Sequence, residues 1–188
     1  MLTGNGSLEV TMSEQQVGDI LAQSLAALPV DGKRVLVIIP DSTRTAPIPM
    51  MFRLLYKQLA ERVACLDYLI ALGTHMAMSE EAITRLVGAS AEERAANYPK
   101  STVYNHHWDD PQALHQIGLI SAKETDLLTN GLFAAEVPVV LNRMILDYDH
   151  LMICGPVFPH EVAGFSGGAK YFFPGIAGAD IINFTHWL

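Results

Sequence analysis

The run Arg34-Val35-Leu36-Val37-Ile38-Ile39, closed by Pro40, constrains this chain more than any other feature. A helix or strand with one wet face shows polar residues at its own period, and beyond Arg34 this run shows none. Both faces must therefore be buried, as in a parallel strand inside a sheet covered on each side. A second such run spans residues 66–71, and shorter ones at 102–107, 137–141 and 150–154 read as further strands. Residues 8–12 alternate like a short strand. Ser13-Glu14-Gln15-Gln16 then forms a capping box ahead of an amphipathic helix over residues 17–28. A loop at 41–49 precedes a helix over 50–62, and Ser79 caps another helix with Glu80 and Glu81 in its first turn. The polar stretch at 109–130 carries no clear element, and two helices are expected after Gly155. Strand, loop and helix alternate, so the expected fold is α/β. It is one domain over residues 1–188 with a mostly parallel sheet flanked by helices.

Half of the residues are hydrophobic, enough for a substantial core. Twelve Lys and Arg stand against twenty Asp and Glu, a net charge of -8. Such a chain has no general attraction to nucleic acid or to anionic membranes, so an anion must be held by a few placed groups. Cys65 and Cys154 sit in apolar runs and read as reduced core residues. Neither a signal peptide nor a membrane span is visible, and a soluble, cytoplasmic protein is expected.

Three polar motifs begin where an apolar strand ends: Asp41-Ser42-Thr43-Arg44, Gly73-Thr74-His75 and Gly155-Pro156. In open parallel sheets ligands bind outside the carboxyl ends of the strands, so the three motifs can meet in one crevice. The first sets hydroxyls and a guanidinium before a helix start, which suits an anion. It equally suits a capped loop in which Arg44 pairs with Asp41. His75, taken alone, is more often structural. His106 and His107 are adjacent in a strand and point to opposite faces, so they cannot easily share an ion. His115 and His150 read as structural.

The last segment is more specific. Pro159-His160 leads through Gly164-Phe165-Ser166-Gly167-Gly168-Ala169-Lys170 to Pro174-Gly175 and Asn183-Phe184-Thr185-His186. Glycines let backbone approach an anion and Lys170 adds charge, although the Walker spacing is absent. Capped helix ends would explain the glycines but not the two histidines and the lysine. With the two earlier motifs in the same order, this run resembles the signature of the nickel-pincer lactate racemase family, over nearly the whole chain.

The resemblance implies an isomerase that inverts a small 2-hydroxy acid by moving a hydride and a proton. It implies nickel and a pyridinium-3,5-bisthiocarboxylic acid mononucleotide as cofactors. By their places in the motifs, His75 and His160 match the catalytic histidines, and Arg44 with Asp41 matches the substrate-binding pair. Lys170, Ser166, Gly167, Gly168 and Thr43 match positions at the cofactor, Lys170 being joined to it covalently in some members. His186 matches the nickel ligand. The C2 hydrogen of a 2-hydroxy acid is barely acidic, so leaving as hydride while an imidazole takes the hydroxyl proton avoids a costly carbanion. Family members continue through a C-terminal domain, so this chain alone is expected to be inactive.

Two other readings compete. One is a His/Asp metallohydrolase built on His75, His106 and Asp109 around a water-bearing ion. The other is a non-catalytic module that binds cofactor or metal.

Overall fold

A computed structural model of the chain describes residues 3–160 and 164–182. The apolar run forms β1 (Arg34–Pro40), buried throughout after Arg34. It lies between β2 (Cys65–Ala71) and β6 (His150–Ile153), with β3 (Val103–Asn105) beyond β2, all parallel in the order β3-β2-β1-β6. Pro40, which has no N–H for the ladder, stands at the last position of β1, where the chain leaves the sheet.

The twofold alternation of a strand sends residues to two separate cores. Val35, Val37 and Ile39, with Leu66, Tyr68 and Ile70, pack against α1 (Glu14–Ala26), α2 (Ile48–Leu59) and α3 (Glu80–Val87). Phe52 of α2 sits at the centre, its ring 4.8 Å from that of Tyr68 and 4.9 Å from that of Tyr98. Leu36, Ile38 and Leu69 face the other way, against Tyr171, Ile176 and the partly buried Ile145 and Phe172. The expected mostly parallel sheet covered on both faces is therefore the observed one.

The capping box at Ser13 and the cap at Ser79 are both formed. The helix expected over 50–62 begins two residues earlier, at Ile48, and ends at Leu59. Residues 8–12 form no strand; Leu8 and Val10 are exposed and have no neighbouring strand to pair with. The strand expected at 137–141 forms as β5 (Val137–Asn142), but outside the main sheet. It pairs antiparallel with β4 (Leu114–Ile120), within the stretch that carried no clear element. β4 is half-buried only at its two ends, so it lacks the continuous apolar run that marks β1. Two further helices, α4 (Ala91–Asn97) and α5 (Ala122–Leu128), each begin with a capping box. After Gly155, where two helices were expected, the chain forms a hairpin of β7 (Pro159–His160) and β8 (Gly164–Phe165). A 3-10 turn at Gly168–Tyr171 follows, and residues 179–182 are helical. Both cysteines are free thiols, and among the described residues no helix is long and apolar enough to cross a membrane.

Candidate active-site cleft

Asp41 is the first residue beyond β1 and is only 7% exposed. A carboxylate so placed needs partners, and both its oxygens have them. The backbone N–H and the hydroxyl of Thr43 donate to Oδ1, at 3.0 and 2.5 Å. His75, from the loop after β2, lies with Nδ1 2.6 Å from Oδ2. Burial opposes the charge on Asp41, but the bonds from Thr43 and His75 outweigh it and hold the carboxyl below its ordinary value. An ionised Asp41 accepts from Nδ1–H, which fixes the imidazole tautomer and leaves Nε2 as the free base nitrogen. The His75 side chain is 57% exposed, so that nitrogen is accessible. The loop carrying it is tied down by Gly73 N–H to Gly175 O and His75 N–H to Leu72 O, both 2.9 Å.

Arg44 does not pair with Asp41, whose oxygens are already taken. Among the described residues its exposed guanidinium forms no ion pair. It is left able to meet a carboxylate in two-pronged fashion.

The glycine-rich segment forms the opposite wall. Ser166 N–H bonds Phe158 O at 2.8 Å, closing the hairpin that holds the half-buried His160. Gly167 has φ 78°, and a Cβ there would fall 2.1 Å from Pro156 O, so no other residue fits without displacement. Gly168, at φ 55°, would place a Cβ in open space. Its backbone is thus unobstructed beside Lys170 in the 3-10 turn.

These walls enclose a cleft of about 250 Å³ at the carboxyl ends of β1 and β2. Asp41, Thr43, Arg44, His75, His160, Ser166, Gly167 and Lys170 all line it, and Gly168 adjoins it without lining it. His186 lies outside the described residues. Tyr171, which the motifs did not single out, also lines the cleft. Its only sequence signal is its place directly after Lys170.

His106 is elsewhere engaged. It is 1% exposed, with Nε2 3.0 Å from Ala177 O and Nδ1 accepting from Asn142 Nδ2 at 3.0 Å. Burial pushes its pKa down to about 4, so it is a neutral structural histidine with no lone pair to spare. The trio His75, His106 and Asp109 therefore cannot form a hydrolytic metal site. His107 and His115 are exposed, and His150 bonds Pro29 O at 3.0 Å.

The residues present fit an anionic nucleotide. The unobstructed glycine backbone suits a phosphate, and Lys170 and Arg44 supply positive charge in an otherwise acidic chain. Among the described residues no three His, Cys, Asp or Glu side chains converge as metal ligands.

Comparison with known proteins agrees with this architecture. The profile described as the lactate racemase N-terminal domain matches residues 9–188. A lactate racemase from Thermoanaerobacterium thermosaccharolyticum is 26% identical over 189 residues, covering 96% of this chain and 40% of that protein. The crystal structure of a Thermotoga maritima protein superposes with a TM-score of 0.82 at 30% identity, over all of this chain and 42% of that one. The lactate racemase apoprotein from T. thermosaccharolyticum superposes with a TM-score of 0.68 at 25% identity, over 93% of this chain and 39% of that one. The chain thus spans about two fifths of the relatives it matches.

Proposed function

Since the chain belongs to the lactate racemase N-terminal domain family, we propose that it carries the proton-transfer and cofactor-holding half of a 2-hydroxyacid racemase or epimerase. One observation carries the reading above the rest: two histidines, one of them oriented by a buried carboxylate, share a cleft with a guanidinium that has no ion pair among the described residues.

In this reading Arg44 holds the substrate carboxylate and so fixes which way C2 and its hydroxyl face. His75 is aligned by Asp41 through Nδ1 and offers Nε2 to the hydroxyl of one enantiomer. His160, from the hairpin wall, serves the other enantiomer. Each removes the hydroxyl proton as the carbonyl forms and returns it when the carbonyl is reduced again. Two bases are required because the hydroxyls of the two enantiomers point to different sides. Asp41 stabilises the imidazolium that forms on His75, as a buried carboxylate does for a proton-accepting histidine.

The group to be held here is the nickel-pincer nucleotide. Ser166, Gly167, Gly168 and Lys170 would hold it, with Thr43 at the edge and His186 matching the position of its protein ligand. When bound it supplies the acceptor for the hydride leaving C2. Thr43 has a second task in this structure, since its hydroxyl bonds Asp41. The further length of the relatives, about three fifths of each, would cover the open side of the cleft and exclude water from the keto acid.

The test is retention. Purified chain is mixed with nickel and the pincer nucleotide and passed through gel filtration. Nickel and the sulfur-to-metal absorption should co-elute with wild-type chain, and should be lost in Lys170→Ala and His186→Ala. Retention of zinc alone, or nickel retention unaffected by both substitutions, would overturn the reading.

A further inference from the structure

Tyr171 is an anomaly in this cleft. Its ring is packed into the second core with Leu36, Ile38, Leu69 and Ile176, and the residue is only 7% exposed. A hydroxyl in such surroundings ordinarily has a hydrogen-bond partner. This one has none among the described residues. It is not sealed in the interior, as the unpartnered hydroxyls of Tyr68 and Ser101 are. Instead the residue lines the cleft beside Asp41, Arg44 and His75.

The backbone is shaped around this hydroxyl. A Cβ added at Gly155, just past the end of β6, would fall 1.9 Å from Oη, 2.5 Å from Cζ and 3.1 Å from Pro40 Cδ. Glycine at 155 is therefore what leaves room for Oη between the ends of β1 and β6. At that place Oη feels the charges of both Arg44 and Asp41. Asp41 is fully engaged by Thr43 and His75, which leaves Arg44 as the charged neighbour whose ligand Oη could share.

We infer that Tyr171 is a substrate-binding residue of this site, its hydroxyl donating a hydrogen bond to the carboxylate that Arg44 holds. The inference rests on the proposed function and deepens it. A rigid, nearly buried donor and an exposed guanidinium that line one cleft would fix the carboxylate at two points rather than one. Burial pushes the pKa of Tyr171 up to about 12, so it stays a neutral donor and never becomes a repelling phenolate.

Binding tests this without turnover, nucleotide or metal. The isotope-labelled chain is titrated by NMR with lactate and with propionate, which lacks the 2-hydroxyl. Tyr171→Phe keeps the ring and should weaken both acids equally, by roughly tenfold or more, as expected for a bond to a charged group. Gly155→Ala, which pushes Oη away while keeping it, should weaken both in the same way and stands in if Tyr171→Phe does not fold. Arg44→Ala should abolish both. Unchanged affinity in Tyr171→Phe, with loss in Arg44→Ala, would overturn the role of Tyr171 and leave the proposed function intact. Weakening of lactate alone would move the contact to the 2-hydroxyl and overturn the assignment to the carboxylate. Failure of wild-type chain to bind either acid would overturn the proposed function, and this inference with it.

Discussion

His106 should make the stability of this chain fall between pH 6.5 and about pH 4. In the folded chain the ring is 1% exposed, its Nε2–H directed at Ala177 O and its Nδ1 accepting from Asn142. Protonation would replace that acceptor with a second N–H aimed at the donating Asn142 amide. Burial therefore lowers the pKa from 6.5 to about 4. The unfolded chain takes up the proton at 6.5 and the folded chain resists until about 4. Stability from this group is complete above pH 6.5, declines as the pH falls through that window, and is fully lost below it. Each tenfold difference in proton affinity between the folded and unfolded chain is worth about 1.36 kcal/mol, so the total loss is roughly 3 kcal/mol. That is a large part of what a domain of this size usually has. The upper part of the window lies above the ordinary values of 3.8 for Asp and 4.5 for Glu, so above about pH 5 the titration of Asp41 does not mask it. Urea unfolding followed by circular dichroism, at half-unit steps from pH 7.5 to 4, measures the slope. His106→Gln should be less stable at pH 7.5 yet nearly flat from 6.5 to 4.5. Parallel slopes for wild type and variant would refute the argument, because the titrating group would then lie elsewhere.

Other outcomes follow from the cleft. Asp41→Asn offers Thr43 or His75 an amide N–H in place of an oxygen; in a complete enzyme it should lower kcat by roughly a hundredfold or more with KM little changed, checked by polarimetry. Gly167→Ala combines a φ of 78° with a Cβ 2.1 Å from Pro156 O and should cost at least about 1–3 kcal/mol, with faster hydrogen exchange confined to the hairpin and the 3-10 turn. The 188-residue chain, given nickel and nucleotide, should bind a 2-hydroxy acid without racemising it; polarimetric turnover comparable to that of a full-length relative would show that the open side needs no cover.

The central sheet was legible because burial on both faces leaves its mark in consecutive residues, as at Val35 to Ile39. Capping signals were equally local, as Ser13 with Gln16 at α1 and Ser79 at α3 show, while the same box at Ser121 with Glu124 opens α5 inside the stretch that was given no element. β4 was illegible for the opposite reason: an exposed strand held by one neighbour needs neither alternation nor a continuous apolar run. Convergence of the strand-end motifs followed from topology alone, since parallel strands put all their carboxyl ends on one side. What no motif could show was pairing between them. The bond from His75 to Asp41 spans 34 positions and depends on the turn that Gly73 makes with Gly175. Tyr171 was hidden because an aromatic between a lysine and two phenylalanines reads as core, and its ring is core, although the residue also lines the cleft.

The site divides into a part fixed by the fold and a part left loose. Asp41, Thr43, His75 and Tyr171 are set by the two central strands, by mutual hydrogen bonds or by the packed ring, so their geometry precedes any ligand. Arg44 is exposed without an ion pair, His160 rides on a two-residue strand, and Lys170 projects from a 3-10 turn. Proton transfer depends on placement to a fraction of an ångström, and the oriented base is found in the fixed part. Holding a charged nucleotide or a carboxylate tolerates looser groups that close around it, losing side-chain entropy that charge-assisted bonds offset. The order of events follows from that difference: the ligand meets preformed groups and gathers exposed Arg44 and half-buried Lys170 onto itself. Lactate binding should accordingly slow rotamer motion at Arg44 and leave the His75 ring unchanged. Side-chain NMR relaxation of the free and lactate-bound chain reads both. A His75 ring that reorients on binding would show that the floor is built by the ligand, and that Asp41 does not set the tautomer beforehand.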